Sequence, residues 1–173
     1  QSVWAATKNG LYQLDLTNGS WTVILPSAAN RRFLNVSCMG NSIISRRTTE
    51  LIKYDKSNQE ITTLPIQVSA ATNSSVIIKK VNRQYTLVGK QDGLFRLSED
   101  FTRLDKIWPR ASTTKQPQNH NKGRGLNDKS QSSVNEILLL DNNAVWLGTR
   151  HLGLVLVELS SGRELQRVQS IPD

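Results

Sequence analysis

One arrangement of features occurs four times along this chain, and it limits the fold more than any other property of the sequence. The plainest copy runs from Val134 to Leu159. Val134–Leu140 is an apolar run, Asp141-Asn142-Asn143 a turn signal, Ala144–Thr149 a second run, and Arg150-His151-Leu152-Gly153 a second turn into Leu154–Leu159. β-Branched and aromatic residues bounded by Asn, Asp and Gly predict a meander of short antiparallel strands. Gly153 stands where a positive φ or a close backbone approach is needed.

The same order of features begins at Val3, in VWAATKNGLYQLD, and again at Leu87, in LVGKQDGLF. A degraded copy runs from Ile43 to Asp55, with Glu50 where the others have glycine. Anchored on Trp4, Ile43, Leu87 and Trp146, the copies are 39, 44 and 59 residues apart. A period near 40 with about four short strands per copy predicts an all-β fold of β-propeller blades. The blades are expected at about 1–25, 33–64, 75–108 and 134–169, four-stranded and antiparallel, within a single propeller segment of a larger propeller. Trp4 and Trp146 are expected to be largely buried between blades, with Ile43 and Leu87 as their counterparts. The first blade lacks an innermost strand before Val3, and nothing after Gln169 is long enough to supply it. The segment is therefore expected to pack against the rest of a longer chain, or a second copy, through the faces of its first and last blades.

The long third spacing comes from residues 109–133, a polar stretch without an apolar run. Its five basic residues, Arg110, Lys115, Lys122, Arg124 and Lys129, stand against the single acid Asp128. The stretch thus carries half of the chain's net charge of +8, which favours an anionic partner. The basic residues are not interleaved with aromatics, so no nucleic-acid partner is expected. No apolar run reaches membrane-spanning length, and no signal peptide opens the sequence. The single cysteine, Cys38, excludes an internal disulfide framework and reads as a small buried apolar residue. His120 and His151 lie far apart with no Cys/His cluster, so neither a metal site nor a cofactor is expected. No motif with a catalytic mechanism occurs, and no catalytic residue is assigned.

Gly125-Leu126-Asn127, Ser133–Ile137, Asp141–Thr149 and Gly153-Leu154 together resemble the two-component regulator propeller repeat. That repeat reads Gly-Leu, a polar spacer, an apolar strand, Asp-x-x-Gly, Trp-Ile-Gly-Thr and Gly-Gly-Leu. The fourth copy matches closely, with Asn143 at the Asp-x-x-Gly glycine, where Asn also tolerates the left-handed region. The first copy keeps Val3-Trp4, Thr7 and Gly10-Leu11, the third keeps Gly89 and Gly93-Leu94, and the second loses both Trp and Gly. The resemblance implies a ligand-sensing, non-enzymatic part of a bacterial receptor, periplasmic, ahead of a membrane helix and a kinase or cyclase output domain. Some family members sense carbohydrate fragments. A propeller enzyme acting on a polysaccharide and a protein-interaction scaffold are the alternatives. In a four-stranded meander the turn between second and third strands shares a face with the crossover to the next blade. Lys8, Arg46, Arg47, Lys90, Arg150 and His151 are therefore expected on one face with Lys122 and Arg124 of the insertion, binding an anionic or polyhydroxylated ligand.

Overall fold

The computed structural model describes residues 1–27, 32–47, 49–67, 76–81, 86–110 and 132–169. All of its regular structure is β. Sheet one is β1 (Ser2–Thr7), β2 (Gly10–Asp15) and β3 (Ser20–Pro26). Sheet two is β4 (Phe33–Met39), β5 (Ser42–Arg47), β6 (Glu50–Asp55) and β7 (Ile61–Pro65). Sheet three is β8 (Ile77–Lys80), β9 (Thr86–Lys90), β10 (Gly93–Leu97) and β11 (Leu104–Trp108). Sheet four is β12 (Val134–Leu139), β13 (Ala144–Thr149), β14 (Leu154–Glu158) and β15 (Glu164–Val168). Each is an antiparallel meander in chain order, and the sheets are blades of a β-propeller. The expected all-β architecture of antiparallel sheets is present, and among the described residues sheet one has three strands, matching the second to fourth of the other sheets.

Strand pairing fixes which residues of the four copies are equivalent. Thr7, Arg47 and Lys90 pair with Gly10, Glu50 and Gly93, and Thr149 bonds to Gly153, so each residue closes the matching hairpin. Three residues earlier stand Trp4, Ile44, Leu87 and Trp146. The equivalent of Trp4 in sheet two is thus Ile44, one residue on from Ile43, and the true spacings are 40, 43 and 59. With period two, one residue decides the face. Ile43 points back toward sheet one, whereas Ile44 points forward to sheet three.

The same registers define a forward-facing triplet in every sheet. Leu11 pairs with Leu25, Leu51 with Leu64, Leu94 with Trp108, and Leu154 with Val168. Trp4, Leu11 and Leu25 are buried against Phe33, Ile43 and Ile52 of sheet two. Ile44, Leu51 and Leu64 are buried against Val76, Ile78, Val88, Phe95 and Leu97 of sheet three. Leu87, Leu94 and Trp108 are buried against Val145, Leu147, Val155 and Val157 of sheet four. The fourth triplet breaks the series. Trp146 is less completely buried than Trp4, and Leu154 and Val168 are 50% and 47% exposed. No sheet among the described residues lies in front of it. Cys38 is also exposed, contrary to its reading as a core residue, because among the described residues sheet one has no innermost strand to cover that side of β4.

The turns between the third and fourth strands repeat as well. Gly19, Gln59, Phe101 and Gly162 take φ of 70°, 61°, 60° and 70° at matching points. A positive φ is unusual for a residue as bulky as Phe. Phe101 is held there because its ring is buried in the core between sheets two and three. Asp141 shapes the first turn of sheet four by accepting from the backbone N–H groups of Asn143 (2.6 Å) and Ala144 (2.7 Å). Asn143 consequently stays out of the left-handed region that its place in the repeat suggested.

Two predictions follow the packing and the turns. Leu87→Ala removes a side chain enclosed by two sheets and should cost about 2–5 kcal/mol, whereas Trp146→Ala should cost only about 1 kcal/mol. Urea denaturation of the two variants checks this. Hydrogen bonds from Thr17, from Ser57 and from Ser98 and Thr102 hold the carboxyls of Asp15, Asp55 and Asp100 below their ordinary value of 3.8. A lowered folded-state pKa gives stability that is present above the ordinary value and lost as pH falls through the lowered one. The urea midpoint should therefore decline as pH drops below about 4, and the triple variant D15N/D55N/D100N should flatten that decline.

Candidate functional site

Hairpins β1–β2, β5–β6, β9–β10 and β13–β14 all turn at one end of the sheets. The crossovers leave from the same end, since Pro26, at the close of sheet one, pairs with Gly10 of its hairpin. The insertion is anchored there too. Pro109 follows Trp108 beside Gly93, whose absent Cβ would meet the Trp108 carbonyl oxygen at 2.0 Å. At its other end the Ser133 carbonyl accepts from the Arg150 N–H at 3.0 Å. This end of the sheets is the face on which the basic residues were expected.

The hairpin-closing position decides what several of them do. In sheets one and four it is threonine. Thr7 Oγ1 donates to the Gly10 carbonyl at 3.0 Å, and Thr149 Oγ1 donates to that of Gly153 at 2.8 Å. Sheets two and three carry a cation instead, neutralised by an acid of the same hairpin. Arg47 Nη1 donates to Glu50 Oε1 at 3.3 Å, its Nη2 donates to the Pro26 carbonyl at 3.3 Å, and its guanidinium lies 4.9 Å from the Phe33 ring centre. Lys90 Nζ lies 2.6 Å from Asp92 Oδ1 and 4.2 Å from the centre of the Phe95 ring. In both hairpins the cation lies over an aromatic face with a carboxylate of the same hairpin beside it.

Arg46 is one residue earlier, at the position of Ala6, Gly89 and Gly148. At Gly89 a Cβ would stand 2.7 Å from Val134 Cγ1, so the next sheet approaches closely at this point. A long side chain here must run between sheets, and Arg46 is accordingly buried. Burial pulls its guanidinium below its ordinary pKa, which still leaves it charged near neutrality. Lys8, Arg150 and His151 stand at hairpin tips, exposed, and their side chains make no hydrogen bond or ion pair among the described residues. Lys122 and Arg124 fall outside the described residues.

Sequence reading missed the partners that engage Arg47 and Lys90. Glu50 and Asp92 stand within three positions of their cations, and Phe33 and Phe95 are brought in by the strands. It also missed a polar basin of about 550 Å³ at the opposite end of sheet one, on its Trp4 side. Gln13, Asp15, Asn18, Ser20 and Thr22 help to line it. Its side chains are hydroxyls, amides and one carboxylate, a lining unlike the basic hairpin face.

No protein-family model and no curated protein sequence matches this chain. Solved structures do match over its whole length. The extracellular domain described as that of the hybrid two component system BT3049 from B. thetaiotaomicron superposes with a TM-score of 0.64 at 15% identity, over 99% of this chain and 20% of that one. The corresponding domain of BT4673 from the same organism gives a TM-score of 0.67 at 16% identity, over 98% of this chain and 21% of that one. The dihydro-heme d1 dehydrogenase NirN gives 0.63 at 12% identity, over 98% of this chain and 36% of that one. The chain therefore spans about a fifth of the length of the two sensor domains. At these identities the likeness is one of fold, and the fold is shared by receptors and an enzyme.

The hairpin reading of Lys90 has a direct check. Lys90→Met keeps the stem over Phe95 and should cost less than about 1 kcal/mol. Asp92→Ala leaves a nearly buried ammonium without its carboxylate and should cost about 1–3 kcal/mol. Urea denaturation should rank the two variants in that order, with the double variant close to Lys90→Met alone.

Proposed function

We propose that this chain is a ligand-sensing segment of a larger bacterial signal-transduction receptor, non-enzymatic and exposed to the periplasm. The observation that carries the reading is the full-length likeness of its fold to the extracellular domains of BT3049 and BT4673. The run of residues in Asp141–Thr149 and Gly153-Leu154 supports it, since it resembles the two-component regulator propeller repeat. The receptor's remaining parts are its partners. Among the described residues no helix is long and apolar enough to cross a membrane.

The ligand is anionic or polyhydroxylated, such as a carbohydrate fragment, and it meets the hairpin face. Lys8, Arg150 and His151 are the residues available for it, with Lys122 and Arg124 joining from the insertion. Exposed cations attract an anion over about 10 Å at moderate salt, and the attraction weakens as salt rises. Arg46, Arg47 and Lys90 act behind them by shaping the hairpins.

Calorimetric titration with neutral and acidic oligosaccharides tests the reading. An acidic oligosaccharide should bind unchanged in structure, and K8E/R150E should weaken it most at low salt. Affinity indifferent to K8E/R150E at low ionic strength removes the ligand face. Turnover of the oligosaccharide favours the second reading, a propeller enzyme, to which the likeness to NirN lends its support.

A further inference from the structure

The forward face of sheet one changes character along its strands. Near the hairpin it carries Leu11 and Leu25, buried with Trp4 against sheet two. Toward the other end Gln13 pairs with Thr22, and beyond them Asp15 pairs with Ser20, on the same side of the sheet. With Thr17 and Asn18 of the adjoining turn, these side chains line the polar basin of about 550 Å³. Small-molecule pockets span about 300–1,000 Å³, so the basin has room for a ligand. Repeat equivalence shows why the hollow is here. Three residues after the hairpin glycine, or Glu50 in its place, stand Gln13, Lys53, Arg96 and Leu156. In sheet three the long Arg96 crosses to the next sheet, where its Nη2 donates to the Leu159 carbonyl at 3.4 Å. Gln13 is shorter and neutral, and its amide has no hydrogen-bond partner among the described residues.

The lining selects one class of ligand. Asp15 Oδ1 accepts from the Thr17 N–H at 2.8 Å, and hydrogen bonds from Thr17 keep the carboxyl ionised at neutral pH. A carboxylate repels an anion. It is also the only charge in the lining, whereas a bare calcium ion gathers about six to eight oxygens, several of them charged. The remaining groups are amides and hydroxyls, which donate and accept alike, as the hydroxyls of a polyol do. Asn18 Oδ1 is taken by the Ser20 N–H at 2.9 Å and hydroxyl at 2.7 Å, so its NH2 is left to donate. We propose that the basin is a binding site for a neutral sugar. Asp15 accepts from two neighbouring hydroxyls, a charge-assisted pairing, while Gln13, Asn18 and Thr22 bond to the other sugar oxygens. The site lies at the opposite end of sheet one from the hairpin face and stands independently of any anion bound there.

Nuclear magnetic resonance titration of the isotope-labelled chain with maltose, cellobiose, lactose and xylobiose tests the site. At least one of the four should shift the side-chain amides of Gln13 and Asn18 and the backbone amide of Thr17, saturably and with little response to added salt. Asp15→Asn should weaken that binding by about tenfold. Gln13→Arg, which gives sheet one the residue that sheet three carries, should fill the hollow and abolish it. Asp15→Asn barely changes the shape of the site, so it decides the matter should Gln13→Arg disturb the fold. K8E/R150E should leave the binding unchanged. No shift with any of the four sugars overturns the proposal. So do shifts that survive Asp15→Asn at full affinity, shifts lost in K8E/R150E, or shifts produced by calcium chloride alone. Loss of acidic-oligosaccharide binding in K8E/R150E, with the basin still titrating normally, supports two separate sites. An acidic oligosaccharide that never binds, with the basin still titrating, strikes the hairpin-face reading and leaves this one standing.

Discussion

Everything in this structure depends on the packing of one sheet's forward triplet into the back face of the next. A single twisted meander of four short strands has two apolar faces and little stability of its own. Burying three large apolar side chains contributes roughly 4–9 kcal/mol per interface before entropy is charged against it. Whole domains of this kind are stable by about 5–15 kcal/mol, so each interface is of the same order as the net stability. The ion pair of Lys90 and Asp92, partly open to solvent, is worth about 1 kcal/mol or less. Sheet packing, not charge, holds the arc together.

That division leaves the hairpin ends free to vary. The closing position is threonine in sheet one and a neutralised cation in sheets two and three, yet the strand pairing around it is the same, and sheet four closes on threonine with a hairpin one residue longer. Surface chemistry can therefore differ from blade to blade on a constant frame. The same frame sets limits one residue earlier. A position pressed by the next sheet takes glycine or alanine, and where it takes arginine, as at Arg46, the side chain is drawn into the boundary between sheets.

The repeat and the strand order were visible in the residues, because turn chemistry and apolar runs are local. The register in sheet two was not. Ile43 and Ile44 are the same residue type side by side, so only pairing with Tyr54 and Lys53 shows which one faces forward. Trp146 has the sequence of a core residue, but its exposure is set by the absence of a sheet in front of it among the described residues. Cys38 is exposed for the same reason on the other side. Of the basic residues, Lys8, Arg150 and His151 stand at hairpin tips, where turn-forming neighbours in the sequence put them. It could not show that Arg46 is buried, which follows from equivalence with Gly89. Asp92 was in plain sight two residues from Lys90, and the ring of Phe95 explains why that pair holds.

Native-state hydrogen exchange tests the packing account most directly, because amide protection follows local stability. Sheets two and three are packed on both faces and sheets one and four on one. The slowest amides should lie in β5, β6, β9 and β10, with those of β1–β3 and β14–β15 exchanging faster through openings confined to the ends of the arc. Equal protection across all four sheets, or the greatest protection in sheet four, would contradict the claim that contact between successive sheets is what stabilises each of them.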